Sequence, residues 1–146
     1  MRPCAQSDTA RAGTFGLKTA ILENKVVYVD MNDCPAQLDI LAHVDVVPAG
    51  DGWSVTEPFV PLFRDGKLYG RGTCDDKGPA VAALYAMRAV RELNISLKYN
   101  VCLILGADEE TGCRDTDCYY SHFKEAPCSY SPDGEYPVIN LEKGGL

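Results

Sequence analysis

Apolar and polar residues alternate in blocks along this chain, and the blocks differ in period. Residues 25–31 (KVVYVDM) are β-branched and aromatic and predict a strand. Residues 38–47 (LDILAHVDVV) form a near-continuous apolar run, as expected of a strand buried on both faces of a mostly parallel sheet. A turn-rich loop follows from Pro48 to Gly52, then Trp53. Residues 62–69 (LFRDGKLY) predict a β-hairpin around Asp65-Gly66. The helical signal is clearest over 79–93 (PAVAALYAMRAVREL), where Pro79 suits a first turn that has no use for its N–H. That segment is apolar nearly all round, which predicts heavy burial. Residues 99–106 (YNVCLILG) predict another buried strand, 114–123 a short helix, 131–134 a turn and 138–141 a last strand. The stretch through Gly16 carries no clear pattern. Strands alternating with helices give an α/β class.

Length adds that the 146 residues amount to about one domain. No apolar run approaches the roughly 18 residues of a membrane span. The N-terminal stretch lacks the apolar core of a secretory signal, so a cytoplasmic, membrane-independent protein is expected. The formal net charge of -7 argues against a nucleic-acid partner, which requires clustered Lys and Arg. It suits a soluble enzyme or a cation-binding protein equally. The 7 cysteines are odd in number and include no CxxC pair, so free thiols are expected rather than a disulfide framework or a zinc ribbon.

Four short segments carry candidate chemistry. His43-Val44-Asp45 closes a predicted strand, where ligands of open α/β sheets bind. A metal-ligating histidine usually gives its other ring nitrogen to a carboxylate, a part Asp45 could play. By itself the pair is equally consistent with a hydrogen-bonded structural histidine. The segment 70–79 (GRGTCDDKGP) leads into the predicted helix but matches neither phosphate-loop pattern, and Asp75-Asp76 would repel a phosphate. Adjacent buried aspartates are costly unless a cation is present; a solvated acidic turn is the plainer alternative. Cys74, beside them, is expected to be a small inert side chain. Asp108-Glu109-Glu110-Thr111-Gly112 follows a predicted strand. In an extended segment Glu109 and Glu110 would point to opposite sides, leaving one as ligand and one as general base. Ser131-Pro132-Asp133-Gly134 offers a carboxylate on a turn. Together, His43, Asp75, Glu110 and Asp133 supply one nitrogen and three carboxylates, the ligand chemistry of zinc or manganese. A glutamate left over suggests a two-metal hydrolytic site.

The ordered segments LAHVDVVPAGDGW, LYGRGTCDDKGP, GADEETG and SPDGEYPVIN resemble the peptidase V, Sapep and carnosinase branch of metallopeptidase family 20. The resemblance runs from about Val26 to Leu146. It implies a zinc-dependent aminopeptidase-like catalytic domain, with a mixed, mostly parallel sheet flanked by helices. It implies two divalent metal ions, zinc first, with manganese or cobalt as alternatives. In that resemblance His43 and Asp133 ligate the first metal, Asp75 bridges both and Glu110 ligates the second. Asp45 orients the imidazole and Glu109 is the general base. The peptide joining Asp75 to Asp76 is expected to be cis. The implied reaction is hydrolysis of dipeptides, by attack of a metal-bridged hydroxide that Glu109 generates. N-acyl amino-acid deacylase or carboxypeptidase activity is the alternative within the family. The family's second-metal histidine is not matched, since His122 falls in the wrong region and reads as a surface residue. The lid domain and the C-terminal part of the catalytic domain are likewise expected to lie outside residues 1–146. A fragment that binds metal but is inactive alone is therefore a further alternative.

Overall fold

In a computed structural model of the chain, residues 10–134 are described. Residues 10–14 are helical. β1 (Lys18–Leu22) and β2 (Val26–Asp30) then form a hairpin, followed by β3 (Ala36–His43). A second hairpin joins β4 (Leu62–Arg64) to β5 (Lys67–Tyr69). Next come α1 (Lys77–Glu92), β6 (Asn100–Gly106), a single 3-10 turn (Glu109–Thr111), α2 (Arg114–His122) and β7 (Cys128–Tyr130). The main sheet has the order β1-β2-β6-β3-β7. β1–β2 and β2–β6 pair antiparallel, while β6–β3 and β3–β7 pair parallel. The expected mixed α/β sheet is thus present, and its parallel half carries the candidate site.

Side-chain alternation along β6 builds the two cores. Leu103 and Leu105 face α1 together with Val27, Val29, Ala42, Ala80, Leu84 and Met87. Cys102 and Ile104 face the other way and pack with Val26 and Tyr119 of α2. A strand covered on both faces reads as continuous apolar sequence, which is why β6 was legible.

Several expectations need correction. β3 ends at His43; Val44 adds one further bond to the Gly106 carbonyl, and the backbone then departs into the 48–52 loop. α1 is not buried all round: Ala80, Leu84 and Met87 form the covered stripe, while Val81 and Tyr85 are exposed. One face of a helix suffices to cover a sheet, and an alanine-rich composition does not say which face that is. β1 and β7 have no strong signal in the sequence. The β1–β2 turn uses Glu23 and Asn24, both at positive φ (47° and 56°), the backbone of a type I′ hairpin. The expected hairpin turn at Asp65-Gly66 has the same character, with φ of 53° and 75°. Residues 131–134 form no closed turn; they run irregularly out of β7 with a bend at Gly134. The strand expected at 138–141 lies outside the described residues. The six described cysteines are free, and Cys74 is exposed. Among the described residues no helix is long and apolar enough to cross a membrane.

Candidate metal centre

Strand order places the centre. β3 is followed by β6 on one side of it, through α1; β6 is followed by β7 on the other side, through α2. The two connections leave the strand ends in opposite directions and open a crevice there, the usual ligand position in such sheets. His43 ends β3 opposite Gly106, which ends β6. Asp133 follows β7, and Glu109 and Glu110 follow β6.

The loop that carries Asp75 is braced from several sides. Arg71 donates its backbone N–H to the Pro58 carbonyl at 2.7 Å and its Nη2 to the Ala49 carbonyl at 3.0 Å. Trp53 Nε1 donates to the same carbonyl at 2.8 Å, and Arg71 stacks over the Trp53 ring. Gly78 has no room for a side chain, since a Cβ there would collide with the Thr73 carbonyl oxygen. The peptide between Asp75 and Asp76 is cis, as expected. Asp76 is fully buried and accepts the His43 backbone N–H at 3.0 Å. Asp75 is the half of the pair that turns out to solvent.

The resulting geometry converges on one imidazole. His43 is 2 % exposed. Its Nε2 lies 3.0 Å from Asp75 Oδ1, 3.4 Å from Asp133 Oδ2 and 4.0 Å from Glu109 Oε2. Its Nδ1 lies 3.3 Å from Asp45 Oδ1. Among the described residues neither ring nitrogen has a partner in hydrogen-bonding geometry, and Asp76 Oδ1 is likewise unpaired. His43, Asp75 and Asp133 bring ligand atoms within 4.8 Å of one another, and so do His43, Glu109 and Glu110. All six expected site residues therefore meet at one rim. Burial alone would push the His43 pKa down, but Asp133, Glu109, Asp76 and Asp45 outweigh it and hold it above the ordinary value. Such a field attracts positive charge, whether a proton or a metal. Glu109 is raised above the usual glutamate range, chiefly by burial, with His43 opposing. Burial likewise lifts Asp76 to about 6, against the His43 N–H that it accepts.

One expectation about this rim was wrong in its reasoning. Glu109 and Glu110 are not an extended pair on opposite sides; they share a 3-10 turn. Asp45 fixes that turn, accepting the backbone N–H groups of Glu109 at 3.3 Å and Glu110 at 3.2 Å. Two contributors were missed. Asp76 holds the end of β3, as above. Asp115, 2 % exposed, accepts from the backbone N–H groups of Ala107, Asp108 and Thr116, with the last two at 2.7 Å. Its carboxylate lies where a Cβ on Gly106 would be, 2.6 Å away, so the glycine ending β6 admits it. An aspartate in the first turn of a helix was the available signal, but it equally fits a solvated position. A cavity of about 80 Å³ adjoins the centre, lined among others by His43, Glu109, Asp115 and Asp133.

The donor set fits a divalent cation: a buried imidazole with an unsatisfied nitrogen faces carboxylates that would otherwise repel one another. Comparison with known proteins agrees. The chain is 39% identical over 129 residues to YtjP of Bacillus subtilis (strain 168), named as a candidate dipeptidase; the match covers 88% of this chain and 28% of that protein. It is 46% identical over 105 residues to a candidate dipeptidase of Staphylococcus saprophyticus, covering 72% of this chain and 22% of that protein. The chain thus spans about a quarter of the length of these curated relatives. Human carnosine dipeptidase 1 shares the fold with a TM-score of 0.75 and 26% identity, over 90% of this chain and 32% of that one. The M20 metallo-carboxypeptidase Sso-CP2 of Sulfolobus solfataricus gives a TM-score of 0.73 and 27% identity, over 87% of this chain and 31% of that one. Residues 40–134, well over half of the chain, match peptidase family M20/M25/M40, and the chain belongs to that family.

Proposed function

We propose that this chain carries the cation-binding part of the active site of a dipeptidase. The observation that carries the reading is His43, a buried imidazole with both nitrogens unpaired among Asp75, Asp133 and Glu109. His43, Asp75 and Asp133 would hold one divalent cation, and Glu110, with Asp75, would hold a second; zinc suits the set best, with manganese or cobalt as alternatives. Divalent cations held there would supply Lewis acidity, polarising the scissile carbonyl and acidifying a water. The protein's own part is positioning and proton transfer. Asp45, 3.3 Å from Nδ1, would align the imidazole, and it anchors the turn bearing Glu109 and Glu110. Asp76 fixes the backbone of His43. Glu109 accepts the proton of the attacking water and delivers it to the leaving amine. Its raised pKa brings it closer to neutrality, where a general base works best.

The names of the curated relatives support dipeptides as the substrate class. The likeness to a metallo-carboxypeptidase favours a second reading, cleavage of acylated or longer substrates. Hydrolysis of unblocked dipeptides and of N-acetyl amino acids, each with and without chelator, separates the two. Zinc-dependent turnover of unblocked dipeptides supports the first reading, and turnover confined to N-acetyl substrates overturns it. Bound zinc without turnover of either would make the chain a cation-binding portion that needs further residues.

A further inference from the structure

A second cluster of ligand-type side chains lies two strands away from His43. Glu23 sits in the β1–β2 turn, and Cys118 and His122 are one helical turn apart on α2. Their ligand atoms lie within 4.8 Å of one another. The helix supplies Cys118 and His122 on one face, since positions i and i+4 are neighbours. The turn supplies Glu23 through its left-handed backbone, φ 47°.

Each member is already oriented. His122 Nδ1 lies 3.0 Å from the Cys118 carbonyl oxygen. Ser121 Oγ, which donates to the same carbonyl, lies 3.0 Å from Nδ1 as well. With Nδ1 held on these two oxygens, Nε2 faces Glu23 Oε1 at 3.5 Å. A ring nitrogen anchored on a backbone carbonyl, with its partner aimed at other ligand atoms, is the arrangement of a ligating histidine. Lys25 holds the other carboxylate oxygen of Glu23, Oε2, at 3.0 Å and so turns Oε1 toward the cluster. Cys118 is 8% exposed, and its thiol donates a hydrogen bond to the Glu23 carboxylate, the proton that a metal would displace. Nε2, Oε1 and the Cys118 sulfur thus stand together at one corner of the molecule, an imidazole, a carboxylate and a thiol within 4.8 Å.

We propose that Glu23, Cys118 and His122 form a second cation site, selective for a borderline divalent ion such as zinc or cobalt(II). Sulfur and nitrogen donors set it apart from the oxygen-rich His43 centre and exclude magnesium and calcium. On binding, the Cys118 thiol loses its proton to solvent and a metal–sulfur bond forms. Three protein ligands leave the fourth tetrahedral position to water. Donor atoms in such a site are about 3.3–3.7 Å apart. Closing from the present spread requires a shift of about 1 Å. Glu23 and His122 are half exposed and free to make it.

Cobalt(II) titration of the whole chain, followed by absorbance, tests this. No sulfur is among the proposed ligands of the His43 centre, and Cys118→Ser separates a thiolate-to-cobalt charge-transfer band of the second site from one of an exposed thiol such as Cys74 or Cys113. The band is expected in the parent and in Asp75→Asn. It should vanish in Cys118→Ser, and His122→Gln should weaken cobalt binding at least about tenfold. Circular dichroism checks folding; if Cys118→Ser does not fold, the partly exposed His122→Gln decides alone. No band in the parent, a band surviving in folded Cys118→Ser, or unchanged affinity in His122→Gln overturns the proposal. The first and last of these outcomes leave the Lys25–Glu23 bridge and the hydrogen bond from the Cys118 thiol as the explanation of the geometry. Loss of the band in Asp75→Asn would likewise overturn a separate site, whatever becomes of the peptidase reading.

Discussion

The two ends of β6 both bury polar side chains, and they treat them oppositely. At the N-terminal end the side chain of Asn100, 7% exposed, has partners for both its oxygen and its nitrogen. Its Oδ1 accepts the backbone N–H groups of Met31 and Asn32, its Nδ2 donates to Asp30 at 2.6 Å, and its own N–H donates to Pro35. At the C-terminal end, beside Gly106, His43 is buried more deeply and has no hydrogen bond to either ring nitrogen. Burial of a polar group without a partner costs about 1–3 kcal/mol. A fold that satisfies one end and leaves the other wanting has kept the second for a ligand. The same logic ranks the carboxylates within the rim. Asp115 accepts three N–H groups and is structural, whereas Asp75 accepts no backbone N–H among the described residues and points outward.

The contrast is broken most severely by touching the proposed proton carrier. Glu109→Gln keeps the size and the backbone bond to Asp45 but removes the carboxylate proposed as base. Turnover of the preferred peptide substrate should fall by roughly 10²–10⁴. Chemical denaturation should show unchanged stability, because Glu109 is half exposed and braces nothing. Retained turnover would remove Glu109 from the mechanism.

At the satisfied end the expected effect is on stability alone. Asn100→Asp sets a second carboxylate against Asp30 in place of the Nδ2 donor. Loss of about 2–3 kcal/mol in urea melts at pH 7 is expected, from the lost bond and the like charge. The sign with pH follows. The crowded pair would bind a proton more tightly in the folded than in the unfolded chain, so stability recovers as pH falls toward 5. Cation binding at His43 should be untouched. A variant as stable as the parent would show that Asn100 is not the brace described above.

A cation should act only at the unsatisfied end. Manganese is the sharper probe, since the thiol-containing cluster disfavours it. At 100 times its dissociation constant it should stabilise the parent by about 2.7 kcal/mol, read as a rise in Tm over chelator-treated protein. Asn100→Asp should keep that increment and Asp75→Asn should lose most of it. An equal increment in Asp75→Asn would place the ion elsewhere.

The sequence disclosed what repeats or runs and concealed what depends on docking. β2, β3 and β6 were legible because a strand covered on both faces must be apolar throughout. β1 and β7, which end the sheet among the described residues, were not, because such a strand is defined by its neighbour; Cys128, Ser129 and Tyr130 are all exposed and pair with Leu38–Ile40. The six expected site residues were legible as types at strand ends, and the rim brings them together. Asp76 and Asp115 were not separable from solvated acids, since their roles exist only once a loop and a helix fold back onto β3 and β6. The proximity of Glu23 to His122 spans almost 100 residues and has no local signature.

The smallest expected effect fixes the floor of the comparison. Arg88 Nε and Glu92 Oε1 lie 2.7 Å apart on α1, closer than His43 Nε2 and Asp75 Oδ1 at 3.0 Å. Distance alone would rank the helix pair higher. Glu92 is 61% exposed, however, and water and salt screen the attraction, while two long side chains lose freedom to make it. Arg88 also stacks over Phe15, a contact that Glu92 does not govern. Glu92→Gln should therefore leave the urea midpoint unresolved from the parent, and added salt should not separate them. His43→Gln, by contrast, should abolish the manganese-dependent rise in Tm. If Glu92→Gln cost as much as a change at Asn100, proximity rather than burial would be setting the energies, and the unpaired nitrogens of His43 would lose their meaning as a sign of a ligand.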